Sequence, residues 1–256
     1  MMNWAANLSM LFNELPLLAR FGAAKAAGFN TVEIQFPYPE SAKDLQQQLL
    51  EQQLECVLIN APAGDLMAGG EGLAAVPGKE DQFSAGLIKC VEYAQALNVK
   101  YVNILPGRCI SESQRPQYLA TFKRNLTVAA DLLAPLGIGV TFEAINTFDM
   151  PGFLIHNVQQ MQEIVSELGH DNIKMQFDIY HMARMEQEDI AQLISRLGDQ
   201  IGHIQFADNP GRGEPGTGEL DFAAIFSAIQ KSTYRGAVVA EYKPSKRTEE
   251  TLKWMS

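Results

Sequence analysis

Four residues carry the chemistry that this chain can be expected to do: Glu143, Asp178, Gln205 and Glu241. Each closes a short apolar run of β character (Val140–Phe142, Ile173–Phe177, Ile201–Ile204 and Ala237–Ala240), and loop sequence with Gly, Pro or Asn follows. The gaps between them are 35, 27 and 36 positions, each about the length of one strand–helix unit. Taken singly, a Glu or Asp at a strand end reads as a solvated or salt-bridged residue, and a Gln as a partner for a neighbouring loop. Taken together they read differently. Three carboxylates converging without a counter-charge repel one another and are driven towards protonation, and a bound cation removes that cost. All four offer hard oxygen ligands and none is a thiolate, which points to Mg²⁺ or Mn²⁺ rather than zinc. Four protein oxygens leave about two octahedral positions, and an α-hydroxycarbonyl compound fills two.

The elements that must position them alternate regularly. Strands are predicted at Trp4–Asn7, Thr31–Phe36, Leu54–Asn60, Lys100–Leu105, Gly139–Ala144, Ile173–Asp178, Gly202–Ala207 and Ala237–Tyr242. Helical spacing of apolar residues marks Leu15–Ala27, Glu80–Leu97, Gln117–Leu136, Val158–Leu168 and Ile190–Leu197, with Gly169 and Gly198 as stops for the last two. Runs rich in Val, Ile and Phe between helices imply a parallel sheet covered on its outer face. Eight strand–helix units in 256 residues without a linker-like break match a single (β/α)8 TIM barrel spanning 1–256. A doubly wound open sheet would more usually have six strands and a Gly-rich turn after the first, where this chain has Asn7-Leu8-Ser9-Met10.

In such a barrel chemistry sits at the C-terminal ends of the strands. Alternation then turns Gln176 inward with Asp178, His203 with Gln205, and Val239 and Lys243 with Glu241. Asn7, Asn60 and Asn103 occupy matching strand ends, and Glu33 joins from the second strand. His203 is open between a buried structural role and support for the ligands beside it. His181, three residues past Asp178, is placed to donate to a substrate oxygen, whereas His156 and His170 read as surface residues. The loop DNPGRGEPGTGE (Asp208–Glu219) lacks the Gly-Lys-Ser/Thr ending of a P-loop and carries one cation, Arg212. Arg212 and Lys243 are the candidates for pairing a substrate carboxylate, with Arg108 behind them.

Composition narrows the partners. A formal charge of −10 works against nucleic acid and against an anionic membrane surface. No run of 18 apolar residues and no basic, then apolar, leader appears at Met1-Met2-Asn3-Trp4. Three scattered cysteines (Cys56, Cys90, Cys109) fit neither a disulfide framework nor a zinc spacing, so the expected location is the cytoplasm. A homo-oligomer is compatible with this sequence.

Six strings are more specific than any of this: ANLSMLF (Ala6–Phe12), GDLMAGGEGLAAVPG (Gly64–Gly78), EAINTFDMPGF (Glu143–Phe153), DIYHMARM (Asp178–Met185), HIQFADNPGRGEPGTGE (His203–Glu219) and EYKP (Glu241–Pro244). Over almost the whole chain they resemble the hydroxypyruvate isomerase family of the xylose isomerase-like barrels, close to the 2-oxo-tetronate isomerases. The resemblance implies a divalent metal, usually Mg²⁺, at Glu143, Asp178, Gln205 and Glu241, with Glu143 and Glu241 as the proton donor and acceptor. In sugar epimerases of the same superfamily a histidine and an arginine at the positions of His181 and Arg212 contact substrate oxygens. Those epimerases place histidine where this chain has Gln205, which weakens an epimerase assignment. The expected reaction is aldose–ketose isomerisation of hydroxypyruvate to 2-hydroxy-3-oxopropanoate (tartronate semialdehyde). The alternatives are the same chemistry on 2-oxo-tetronate, an endonuclease IV-type phosphodiesterase, and a non-catalytic sugar-acid binder.

Overall fold

The computed structural model describes residues 2–255. Eight parallel strands close into a barrel in chain order: β1 (Trp4–Asn7), β2 (Thr31–Ile34), β3 (Glu55–Asn60), β4 (Tyr101–Asn103), β5 (Gly139–Glu143), β6 (Ile173–Asp178), β7 (Ile201–Phe206) and β8 (Val238–Ala240). The helices are α1 (Leu17–Ala26), α2 (Ala42–Gln52), α3 (Glu80–Ala96), α4 (Arg115–Leu133), α5 (Val158–Leu168), α6 (Ile179–Met185), α7 (Ile190–Leu197) and α8 (Phe222–Lys231). The barrel expected from the alternation is therefore present, and the open sheet is excluded by β1 pairing with β8 at Trp4–Val238, Ala5–Val239 and Ala6–Ala240.

Two differences from the expected elements matter for the site. Several strands stop short of their apolar runs, and Glu241 lies one residue past β8, although its N–H still donates to the Phe206 carbonyl at 3.0 Å. Three helices went unmarked. Among them, α6 starts directly at Asp178 with no intervening loop, and α2 (AKDLQQQLLEQ) buries only Leu45 and Leu49. His156 and His170, expected at the surface, are half-buried; the His170 ring sits 3.2 Å from Asp131.

Register places the polar positions side by side. Asn7 pairs with Glu33, Asn60 with Asn103, Glu143 with Gln176, and Asp178 with Gln205. The seam where β8 meets β1 is covered by edge-on aromatic pairs, Trp4 with Trp254 at 5.1 Å and Phe206 with Trp254 at 5.0 Å. Such pairs contribute about 0.5–1.5 kcal/mol each beyond their buried area. They hold closed the joint that sets Glu241 beside Asn7. No described helix is long and apolar enough to cross a membrane.

Candidate active site

Asp178 is both a strand end and a helix cap. Its Oδ1 accepts the backbone N–H groups of Tyr180 (2.8 Å) and His181 (3.3 Å), satisfying donors that the first turn of α6 would leave orphaned. Its Oδ2 is buried and has no hydrogen-bond partner. A buried carboxylate oxygen without a donor is costly, and it marks the point on which the other groups converge. One ligand atom from each of Glu143, Asp178 and His181 lies within 4.8 Å of the other two.

Glu143 and Glu241 face the same cavity from β5 and from the end of β8. Glu143 Oε2 accepts from Asn103 (3.0 Å) and Gln176 (2.5 Å), which leaves Oε1 4.0 Å from His181 Nε2. Both oxygens of Glu241 are taken. Oε1 accepts from Arg212 (2.6 Å) and Gln35 (3.1 Å), and Oε2 accepts from Asn7 (3.1 Å) and Gln205. Burial, and then the Asp178 carboxylate, push the Glu143 carboxyl up to about 8. Burial also raises Glu241 well above the usual range, although the Arg212 guanidinium pulls the other way. Burial takes His181 down to about 4, so its ring is neutral at physiological pH.

Gln205 enters this cluster through its amide nitrogen, which donates to Glu33 (2.6 Å) and Glu241; its Oε1 accepts from Gln176 (2.8 Å). Glu33 is fully buried and also accepts from Asn7 (2.7 Å) and His203. His203 is thus a partner of the layer beneath the cluster. Arg212 reaches Glu241 and lies 3.8 Å from Asp178 Oδ2, its guanidinium stacked 5.1 Å from the Tyr180 ring. Lys243 does not join them. It is exposed, lies outside the residues lining the cavity, and meets Arg212 only through its backbone N–H, 2.7 Å from the Arg212 carbonyl. Arg108 points away as well, donating to the Gly69 carbonyl at 3.1 Å.

The cavity has a volume of about 170 Å³ and combines polar groups (Asn60, Glu143, His181, Arg212) with an apolar wall that includes Phe36 and Leu105. At about 30 Å³ per water it suits a small organic acid. Gln35, Asn146 and Asp149 belong to this constellation and are not singled out from the sequence: Asn146 and Asp149 sit in a loop where no periodicity marks orientation, whereas Gln35 shares the inward face of Glu33 in the predicted strand Thr31–Phe36 and was legible by alternation.

The loop carrying Arg212 is built around Asp208. This buried carboxylate accepts the N–H groups of Asn209 (2.9 Å), Gly216 (2.8 Å), Gly218 (2.8 Å) and Leu220 (3.2 Å). A Cβ at Gly218 would stand 2.2 Å from the Asn209 carbonyl oxygen and 2.6 Å from Asp208 Oδ1. Gly218→Ala is therefore expected to cost roughly 1–3 kcal/mol, lower the thermal midpoint by several degrees and raise KM by releasing Arg212. A melt and a KM indistinguishable from wild type would show that the loop is not held in this way.

A family profile described as "Xylose isomerase-like TIM barrel" matches residues 21–256. The chain belongs to that family. As a member of the xylose isomerase-like barrels it is 44% identical over 255 residues to "Hydroxypyruvate isomerase" of Escherichia coli strain K12, covering 100% of this chain and 98% of that one. It is 39% identical, at the same coverage, to "2-oxo-tetronate isomerase" of Cupriavidus necator. A crystal structure from Brucella melitensis described as "AP endonuclease, family 2" superposes with a TM-score of 0.95 at 39% identity, covering 100% of this chain and 98% of that one. Full-length identity to two isomerases makes this xylose isomerase-like barrel an isomerase.

Proposed function

We propose that the protein interconverts hydroxypyruvate and 2-hydroxy-3-oxopropanoate with the help of a divalent cation. The observation that carries this reading is the pair of buried glutamates on opposite walls, both with raised proton affinity, flanking a buried carboxylate oxygen that accepts no hydrogen bond. The donor set fits a hard cation such as Mg²⁺ or Mn²⁺, with Glu143, Asp178 and Glu241 as carboxylate ligands. Gln205 would offer as fourth ligand the amide oxygen that here accepts from Gln176. When bound, the cation would supply the positive charge that eases removal of the proton beside the carbonyl.

The residues divide the remaining work. One glutamate takes a proton from C3 and the one across the cavity returns a proton to C2, while the proton of the C3 hydroxyl passes to the C2 oxygen, so the ketone becomes the alcohol and the alcohol the aldehyde without a net redox change. Glu143 has the arrangement a base needs, since two amides hold one oxygen and leave the other towards the cavity. The neutral His181 ring and Arg212 meet the substrate oxygens and carboxylate. Lys243 is at most a peripheral attraction, given its exposure.

Coupled assays of Mg²⁺-reconstituted protein on hydroxypyruvate and on both 2-oxo-tetronate stereoisomers test the substrate. The expected order places hydroxypyruvate first, and a preference of tenfold or more for a four-carbon acid would move the assignment to the second reading, which the 39% identity to the Cupriavidus necator protein favours. A net charge of −10 and an acidic cavity oppose a phosphodiesterase reading. In heavy water, solvent deuterium should appear at C2 of the product. Complete retention of substrate hydrogen there would replace proton transfer by a hydride shift.

A further inference from the structure

The proximity of Glu143, Asp178 and His181 invites a reading of His181 as a metal ligand. Its hydrogen bonds argue against that. Asn146 is fully buried, and its Nδ2 lies 2.7 Å from His181 Nδ1. Which of the two atoms donates depends on the orientation of the Asn146 amide, and Asp149 settles that orientation. Asn146 Oδ1 accepts the Asp149 backbone N–H at 2.9 Å, and Asn146 Nδ2 donates to Asp149 Oδ2 at 3.1 Å. Turning the amide over would set NH₂ against an N–H and an oxygen against a carboxylate, two repulsions in place of two bonds. With the amide so fixed, Asn146 Nδ2 can only donate, and His181 Nδ1 can only accept.

From this chain of bonds we infer that Asn146, oriented by Asp149, is a positioning residue that holds His181 in the tautomer with its proton on Nε2. Nε2 faces the cavity, 3.5 Å from Asp178 Oδ2 and 4.0 Å from Glu143 Oε1. His181 is then a hydrogen-bond donor to a substrate oxygen and has no Nε2 lone pair for the cation. A metal-ligating histidine requires the opposite arrangement, with the other nitrogen donating to an acceptor. The role in turnover rests on the isomerase reading given above; the tautomer itself does not.

The test is a long-range ¹⁵N–¹H correlation of the histidine rings in the Mg²⁺-loaded protein, with His181 assigned by the missing signals of His181→Gln. The expected signature is an Nε2–H ring in the wild type. The double variant Asn146→Asp/Asp149→Asn keeps shape, net charge and the pairing between these two residues, with the Tyr180 hydroxyl, which donates to Asp149 Oδ2 at 2.7 Å, turned to accept instead, but presents an acceptor to Nδ1. It should shift the ring to Nδ1–H and lower kcat on the preferred acid by about a hundredfold, the usual cost of losing one oriented donor, with little change in KM. Asn146→Ala, which removes the lock without reversing it, should lose less. A purely structural role predicts the reverse ranking, because Asp is the better steric match. An Nδ1–H signature in the wild type overturns the inference, and so does a shifted tautomer with unchanged kcat. If the wild type turns over neither acid, the isomerase reading fails, and the ring spectra still decide the tautomer.

Discussion

Glu143→Gln is expected to lower kcat by about a thousandfold, within the range that general acid–base catalysis contributes, and to leave the metal-free protein at least as stable as wild type at pH 8. The two effects have one origin. Burial makes the Glu143 carboxylate costly, so its proton affinity rises to about 8. An isosteric amide removes that cost, and its oxygen can keep the donors Asn103 and Gln176. Glu241→Gln should lose kcat to the same degree without the gain in stability, because an NH₂ facing Arg212 and Gln35 would have no acceptor there. Steady-state rates and thermal melts of both variants check the pair. Wild-type-like turnover in either would sink the two-glutamate mechanism.

Chelation of divalent ions is expected to abolish turnover, and the stability that Mg²⁺ restores should grow with pH between 6.5 and 8. The sign follows from proton binding in the folded and unfolded states. Glu143 rises from 4.5 to about 8 on folding. A raised carboxyl is protonated in both states below about 4.5. Above that the unfolded chain ionises first, so metal-free stability falls as pH rises towards 8. His181 acts in the opposite sense. Its affinity drops from 6.5 to about 4, so its contribution is complete above 6.5 and is lost as pH falls towards 4. From 6.5 to 8 the glutamates alone operate. A cation must displace their protons, so its apparent affinity should improve on the order of tenfold across that window. Melts with chelator and with Mg²⁺, and titration calorimetry at both pH values, measure it. An equal Mg²⁺ effect at pH 6.5 and pH 8 would place the ion away from these carboxylates.

How much of this was visible beforehand differs between fold and site. Alternation of apolar and polar residues is a local property, so β5, β6 and the helices Val158–Leu168 and Ile190–Leu197 were marked almost residue for residue. A helix such as α2, whose glutamines bury little, leaves a weak trace, and α6 leaves none because Asp178 ends a strand and caps a helix at once. The convergence of Glu143, Asp178 and Glu241 was likewise legible, since strand ends in a parallel barrel share one rim.

Partner choice was not. Asn7 meets Glu241 across 234 residues of chain only because β8 closes onto β1. The same closure strips water from Glu143 and Glu241 and raises their proton affinities, a quantity with no counterpart in an open chain. Gln205 turns its amide nitrogen to Glu241, Lys243 stays in solvent, and Asn146 sets the His181 ring. Residue type and spacing specify which groups reach the rim. Which atom of each group faces which neighbour is settled by hydrogen-bond competition in a desolvated space, and that space exists only once the barrel has closed.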